Sequence, residues 1–213
     1  MVGRRKLILA VAAGLAGAGG LTLPCAAAPA HGGLGPIRPP VPPPPLVLTL
    51  HNGQRHALQA LLRGRITALQ LMFTSCSATC PLQGAIFAAL QRRMASTTTT
   101  ATKTGLPLDD RPGQSQLLSI SIQPLVDDAA ALAAWRLRFD AGARWLTGAP
   151  PPQKAHLMLE FLGAGSGNPH DRHIAQTYLF DTQGRLAFRL APLAGADAIH
   201  DAVQGLAASS AGG

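Results

Sequence analysis

Residues 71–87 read LMFTSCSATCPLQGAIF: an apolar run leads into two cysteines, and a proline and a second apolar run follow them. The residues up to Thr74 have the length and composition of a buried β-strand, whereas those from Pro81 onward repeat with a helical period. Proline is favoured in the first turn of a helix, because the N–H that it lacks would have no partner there. The stretch therefore predicts a strand, a cysteine pair and a helix in direct succession.

The spacing of Cys76 and Cys80 limits the chemistry of the pair. A helical separation of four residues is about 6 Å along the axis, which allows both a disulfide and an open dithiol. Unpaired N–H groups and the positive end of the helix dipole favour thiolate at such a position. A bridge across so short a loop stabilises a fold less than one across a long loop. We therefore expect redox exchange or a soft metal rather than a purely structural disulfide.

A third metal ligand would have to come from a histidine. Zinc needs about four ligands and this chain has one cysteine pair, whereas two thiolates and an imidazole suit copper. Of the seven histidines, His170 and His173 share a predicted loop that enters a hairpin, from which a side chain can reach the cysteines. His31 lies ahead of the folded domain, and His51 and His56 flank the first turn, where we expect solvated side chains. His156 and His200 lie within predicted helices.

The remaining pattern predicts an α/β fold. Strands are expected at 66–74, 117–122 and 144–148, and hairpins over 46–55, with a turn at Asn52-Gly53, and over 174–190, with a turn from Asp181 to Gly184. Helices are expected at 81–94, 127–140 with Asp127 as N-cap, 151–163 and 195–210, with a polar loop over 95–116. Helical crossovers join parallel neighbours, and a hairpin supplies an antiparallel pair. The prediction is a thioredoxin-like α/β sandwich with a central mixed sheet flanked by helices.

The first thirty residues have the pattern of an export signal. Arg4, Arg5 and Lys6 precede an apolar stretch at 7–23, and small residues end at Ala30. We predict that 1–30 is a signal peptide cleaved near His31, by the general or the twin-arginine route. A retained N-terminal anchor is the alternative, because the apolar stretch is at the short limit of a membrane span. Both alternatives predict a protein in the periplasm or another extracytoplasmic space. A retained anchor would in addition hold it at the inner membrane.

The segment between signal and domain is rich in proline. Residues 36–45 read PIRPPVPPPP, which favours an extended spacer that cannot join a sheet. We therefore predict a tether at 31–45 and a folded domain at 46–208. The net charge is +8 and falls to about +5 without the three cations of the signal. The remaining cations form no basic stripe, so nucleic-acid binding is not expected.

At the cysteine pair the sequence resembles the Sco/SenC family of thioredoxin-like, membrane-associated copper proteins. The family pattern F-T-x-C-x-x-x-C-P is read from Phe73 to Pro81, and HIAQTYLFDTQG places His173 in the register of the family histidine. The segments LVLTLHNGQR, LLSISIQP and RWLTG resemble the first hairpin, the third strand and the L-T-G element, so the resemblance covers 46–206. It implies one copper ion bound by Cys76, Cys80 and His173.

Three positions depart from the family pattern. Ser77 replaces a proline, Gln123 replaces the aspartate of an Asp-Pro pair, and Arg172 replaces an acidic residue directly before the histidine. A cation beside a ligand repels a metal ion, whereas a carboxylate attracts it. The ligands are thus retained without their electrostatic support, which predicts weaker copper binding or a drift toward thiol chemistry.

The resemblance implies a metallochaperone that assists assembly of the copper site of cytochrome c oxidase. Its partner would be the copper-bearing oxidase subunit or another periplasmic copper or thiol protein. The alternative is an enzyme, a thiol-disulfide oxidoreductase with Cys76 and Cys80 as its redox-active pair, which would not need His173. A peroxide-reducing role has only the cysteines in its favour, and an inert structural domain is the last alternative.

Overall fold

Eight strands form one mixed sheet in the computed structural model, which describes residues 34–100, 115–163 and 175–211, without the side chains of 97–100 and 210–211. The strands are β1 (Gly35–Val41), β2 (Val47–Leu50), β3 (Arg55–Ala57), β4 (Thr67–Met72), β5 (Gln116–Ser121), β6 (Trp145–Ala149), β7 (Thr177–Phe180) and β8 (Leu186–Arg189). Their order across the sheet is β1-β8-β7-β4-β5-β6-β2-β3. Every residue of β4 and β5 is buried, as expected for central strands that are covered on both faces.

The pairing directions confirm the predicted mixed sheet. β4 and β5 are parallel, as are β5 and β6, whereas β7 runs antiparallel to both β4 and β8. Gln70 of β4 lies between Ser119 of β5 and Thr177 of β7. This register brings the carboxyl ends of β4 and β5 and the start of β7 to the same end of the sheet.

Five helices cover the two faces of the sheet within the described ranges. They are α1 (Leu58–Leu62), α2 (Thr79–Thr100), α3 (Ala129–Leu137), α4 (Ala155–Phe161) and α5 (Ala196–Ala211). α2, α3 and α5 share one apolar core, in which Phe87, Trp135 and Ile199 are buried with Trp145. α1 and α4 contribute to the core on the other face. The predicted thioredoxin-like sandwich is therefore confirmed.

The proline-rich segment joins the sheet, so the expectation that it stays outside is wrong. Gly35 pairs with Arg189 and Pro36 with Phe188, and the register shifts before Val41 pairs with Leu186. β1 is an edge strand, whose outer side needs no donors, and prolines are tolerated at such an edge. The first strand of the sheet therefore begins at Gly35, ahead of the predicted hairpin.

The helix that carries Cys80 is longer than predicted. The expected polar loop begins at residue 95, but α2 continues through the threonine run to Thr100. Threonine costs a helix only a few tenths of a kcal/mol per residue, so a helix already formed can extend through it. The rest of the predicted loop, 101–114, lies outside the described residues. Among the described helices, none is both long and apolar enough to cross a membrane.

Candidate metal centre

The two cysteines lie at the carboxyl end of β4. Cys76 is in the loop after the strand, and Cys80 is in the first turn of α2, which begins at Thr79. The backbone N–H of Cys80 donates to Sγ of Cys76 at 3.5 Å, and the N–H of Cys76 donates to the carbonyl of Phe73 at 3.2 Å. No disulfide joins the two cysteines. The pair is thus open and held close together by backbone contacts of its own loop.

Both cysteines are buried, with exposed fractions of 8% for Cys76 and 5% for Cys80. Burial raises the pKa of the Cys80 thiol to about 12, and Cys76 and the charge of Asp127 raise it as well, against an opposing backbone contact at Phe73. The expectation that the helix start favours thiolate is therefore wrong for Cys80, because loss of water outweighs the helix end. Cys80 stays protonated at neutral pH unless a metal ion displaces the proton.

Asp127 accepts hydrogen bonds from Thr74 of the cysteine loop and does not cap the helix, although the sequence predicts it as the N-cap. The N-cap of α3 is Asp128, whose Oδ1 accepts from the N–H of Ala131 at 2.8 Å. Asp127 is only 1% exposed. The sequence signal for Asp127 is that it and Asp128 stand side by side at a predicted helix start. Only one of the two can cap the helix, so the other is available for a different contact.

The carboxylate of Asp127 is fully engaged by donors from two elements. Oδ1 accepts from the hydroxyl of Thr74 at 2.5 Å, and Oδ2 accepts from the N–H of Thr74 at 3.1 Å and from the hydroxyl of Ser121 at 2.6 Å. Thr74 is two residues ahead of Cys76, and Ser121 ends β5. Asp127 therefore fixes the cysteine loop to the neighbouring strand. It also supplies a carboxylate beside the pair, which the expectation of missing electrostatic support did not foresee.

The predicted third ligand, His173, lies with His170 and Arg172 in 164–174, outside the described residues. The described chain resumes at Ala175, whose carbonyl accepts from Leu193. The side-chain amide of Gln83 on α2 donates to the carbonyl of Gln176 at 3.1 Å. The helix that carries Cys80 is therefore tied directly to the segment that follows His173.

Among the described residues, no three His, Cys, Asp or Glu side chains are grouped so that they could hold a metal ion. His51 is half-buried rather than solvated as predicted, and its Nδ1 lies 3.3 Å from the carbonyl oxygen of Thr147. Burial lowers the pKa of His51, as does the charge of Arg136, while the Thr147 contact opposes this. His51 is thus a packed histidine of the β2–β3 hairpin.

Among the described residues, the two sulfurs are suitable ligands for copper. They are soft donors, they are adjacent and they are shielded from water, which fits Cu(I) bound linearly by two thiolates. A Cu(II) ion would need a further ligand, for which the described residues offer no histidine near the pair. The described structure thus brings together two of the three predicted ligands, Cys76 and Cys80.

Two apolar clefts lie on the surface of the domain, one at the loop that follows β5 and one on α2. One, of about 380 Å³, is lined by the segment 122–126 together with Pro152 and Ala155. The other, of about 430 Å³, lies between the start of α2 and Leu193. Leu125 and Leu82, at the mouths of the two clefts, are 85% and 56% exposed. Exposed apolar surface of this kind is common where another protein docks.

Fold and site together define a thioredoxin-like domain with a buried, open cysteine pair at the start of a helix. The SCO1/SenC family model matches residues 43–208. The chain therefore belongs to the SCO1/SenC family.

Solved structures agree with this assignment. The chain is similar to a SCO1/SenC family lipoprotein from Bacillus anthracis, with 19% identity, coverage of 80% of this chain and 98% of the other, and a TM-score of 0.61. It is similar to Bradyrhizobium japonicum ScoI with copper bound (17% identity, 78% and 99% coverage, TM-score 0.59). It is also similar to BsSco, a member of the Sco family of cytochrome c oxidase assembly proteins (18% identity, 79% and 94% coverage, TM-score 0.62). A comparison with curated proteins gave no match.

Proposed function

We propose that the protein is a copper metallochaperone that binds one copper ion through Cys76, Cys80 and His173 and helps to assemble the copper site of cytochrome c oxidase. The observation that carries the proposal is the buried, open cysteine pair on a SCO1/SenC fold. Two similar proteins support it, since one holds copper and another belongs to a family of oxidase assembly proteins.

The place of His173 in this proposal follows from the chain on either side of it. Gln176 is bonded to α2, one turn beyond Cys80, and His173 is three residues earlier. Three residues span at most about 10 Å when extended, and the proposal requires the imidazole to meet the sulfurs within that span. Two thiolates alone would hold Cu(I), and the imidazole would complete a site for Cu(II).

Copper is the cargo of this protein rather than a resident cofactor. Binding displaces the proton of Cys80, so loading releases protons and weakens as the pH falls. Release requires an acceptor with ligands of its own, such as the copper-bearing oxidase subunit or another extracytoplasmic copper or thiol protein. Leu82, two residues beyond Cys80, is an exposed apolar side chain that such an acceptor could contact.

We place the protein outside the cytoplasm, in the periplasm or tethered to the inner membrane. The signal-like N-terminus supports this location, and one similar protein is described as a lipoprotein.

Thiol-disulfide exchange is the second candidate function, and the closeness of the two cysteines, which no disulfide joins, favours it. The Cys76 thiolate would attack a substrate disulfide and release one substrate thiol. Cys80 would then attack the sulfur of Cys76, which releases the second thiol and leaves a Cys76–Cys80 disulfide. Two electrons pass to the substrate. Because the first attack on an external disulfide needs a thiolate, the raised pKa of Cys80 leaves that step to Cys76, and Cys80 attacks later, within the mixed disulfide.

The two functions differ in their need for His173. We expect His173→Ala to weaken Cu(II) binding by more than the roughly 10- to 100-fold that loss of an outer-shell partner costs, while Cu(I) binding by the two thiolates persists. Disulfide reduction should be nearly unchanged, because it depends on thiolate fraction and access. Competition with chelators measures the affinities, and reduction of an apo-oxidase peptide measures the exchange.

His170→Ala is the matched control, and the double variant tests whether His170 substitutes for its neighbour. The metallochaperone proposal is wrong if neither single nor double variant changes copper binding while Cys76→Ser or Cys80→Ser abolishes peptide reduction.

A further inference from the structure

Asp127 is a buried carboxylate that accepts hydrogen bonds from neutral groups. Its oxygens accept from the N–H and hydroxyl of Thr74 and from the hydroxyl of Ser121. All three partners are donors, so their hydrogen bonds complement the charged carboxylate. At 1% exposure it has almost no contact with water that could screen that charge. The carboxylate is therefore a fixed negative charge within the fold.

This charge lies close to the cysteine pair without joining it as a ligand. Asp127 and the two cysteines do not form a group that could hold a metal, among the described residues. Its direct partner Thr74 is two residues before Cys76, and its charge reaches Cys80, whose pKa it helps to raise. Asp127 can therefore act on a bound ion through the field of its charge but not through a bond.

A fixed negative charge discriminates between the two oxidation states of copper. Cu(II) carries one more positive charge than Cu(I), so the attraction from a nearby carboxylate is larger for Cu(II). Burial strengthens this attraction, because the effective dielectric constant inside a protein is far below that of water. Gln123 is half-buried in the loop between β5 and α3, which also contains Asp127, and it contributes no charge of its own.

We propose that Asp127 is a positioning residue that holds the cysteine loop through Thr74 and, by its charge, biases bound copper toward Cu(II). The proposal rests on the proposed copper-binding function. Oxidation of bound Cu(I) then transfers one electron from copper to an external one-electron acceptor, and no bond to Asp127 forms or breaks. The acceptor used in the test is ferricyanide, which becomes ferrocyanide.

The test replaces the charge by a neutral group of the same shape. We expect Asp127→Asn to lower the equilibrium ratio of Cu(II) to Cu(I) about tenfold or more, equivalent to about 59 mV for a one-electron couple. The ratio is measured by the electron paramagnetic resonance signal of Cu(II) at fixed ferricyanide and ferrocyanide concentrations. Chelator competition gives the separate affinities, of which that for Cu(II) should fall more than that for Cu(I).

Asp128→Asn is the matched control. It removes the same charge one residue away, at an exposed N-cap where asparagine caps as well as aspartate. Its ratio should equal that of the wild type. An equal shift in both variants would overturn the proposal, because it would reflect net charge alone.

Thr74→Val separates the role of Asp127 in holding the cysteine loop from the effect of its charge on the bound copper. It removes the hydroxyl donor but keeps the carboxylate, so both copper affinities should fall together and the ratio should stay constant. If Asp127→Asn also lowers both affinities equally, Asp127 only supports the loop and the charge proposal is wrong.

Gln123→Asp provides a test that does not depend on the folding of the Asp127 variant. It adds a carboxylate to the same loop, and we expect a higher ratio of Cu(II) to Cu(I). No rise would overturn the inference. A wild-type protein that binds no copper overturns the proposed function as well, whereas a copper-binding wild type with an unshifted Asp127→Asn ratio overturns this inference alone.

Discussion

At the scale of single residues, burial controls the chemistry of the cysteine pair. Cys80 occupies the first turn of a helix, a position that ordinarily favours thiolate. Its sulfur is nevertheless enclosed by the core that α2 shares with the sheet, and this enclosure raises its pKa. The pair therefore suits a metal ion, which replaces the proton, better than it suits attack by Cys80 as a free nucleophile.

The raised pKa predicts an unusual pH dependence for the alkylation of Cys80. In the reduced protein, its rate with iodoacetamide should keep rising from pH 9 toward about pH 12. The same shift stabilises the fold only while the thiol is protonated, so its contribution is complete below about pH 9 and is lost as the pH rises toward about 12. Mass spectrometry of the alkylated peptide measures the rate.

The urea-unfolded protein is the control for this measurement, because burial is lost there and the Cys80 rate should level off near its ordinary pKa. A rate that levels off near pH 9 in the folded protein would show that Cys80 has no raised pKa.

At the scale of elements, close contact between two helices depends on one glycine. Gly84 on α2 faces the ring of Phe139, and a Cβ at this position would lie 2.7 Å from its Cε1. Phe139 also packs at 4.7 Å from Trp135, measured between ring centroids, so it has little room to move. The absence of a side chain at Gly84 allows α2 to approach the end of α3.

We expect Gly84→Ala to lower the free energy of unfolding by about 1–3 kcal/mol, the usual cost of overpacking a core. Urea unfolding followed by circular dichroism measures the loss. The steric cost must exceed the gain in helix propensity of about 0.5–1 kcal/mol that alanine brings.

Gly205→Ala on α5 is the matched control for this prediction. A Cβ at Gly205 meets no atom within 4 Å, so only the propensity gain applies and the variant should be stabilised. Equal effects of the two substitutions would disprove the close contact at Gly84.

At the scale of the whole molecule, the described fold is formed without a disulfide between the two cysteines. Two apolar cores enclose the sheet from opposite faces. The cysteines join one core as buried side chains, and their loop is fixed by hydrogen bonds from Thr74 to Asp127. The structure therefore does not depend on a bridge between Cys76 and Cys80.

Reduction should accordingly have a small effect on thermal stability. Closing a ring of five residues is worth about 2 kcal/mol in unfolded-state entropy at most, which corresponds to a shift of roughly 4–8 °C in a chain of this size. Melts with and without reductant should agree within that range, with a Cys76→Ser, Cys80→Ser variant as the reference for a chain that cannot bridge. A much larger loss on reduction would restore a structural role for the disulfide.

The sequence by itself determined the features that depend on neighbours along the chain. The order of strands and helices, the turn at Asn52-Gly53, where Gly53 has φ of +79°, and the place of Cys80 in a first helical turn all follow from local periodicity and turn chemistry. The family pattern around the cysteines also lies in one short stretch. The copper role of His173 remains a prediction, since that residue lies outside the described ranges.

Only the tertiary structure decided the features that depend on contacts between distant segments. β1 joins the sheet because β8 has a free edge, which no property of the proline run reveals. Asp127 faces the cysteine loop, and Asp128 caps the helix, because of where Thr74 and Ser121 lie in space. The pKa of Cys80 follows from how much water the packed core excludes. Edge pairing, burial and charge proximity are properties of the assembled fold, so a linear pattern does not determine them.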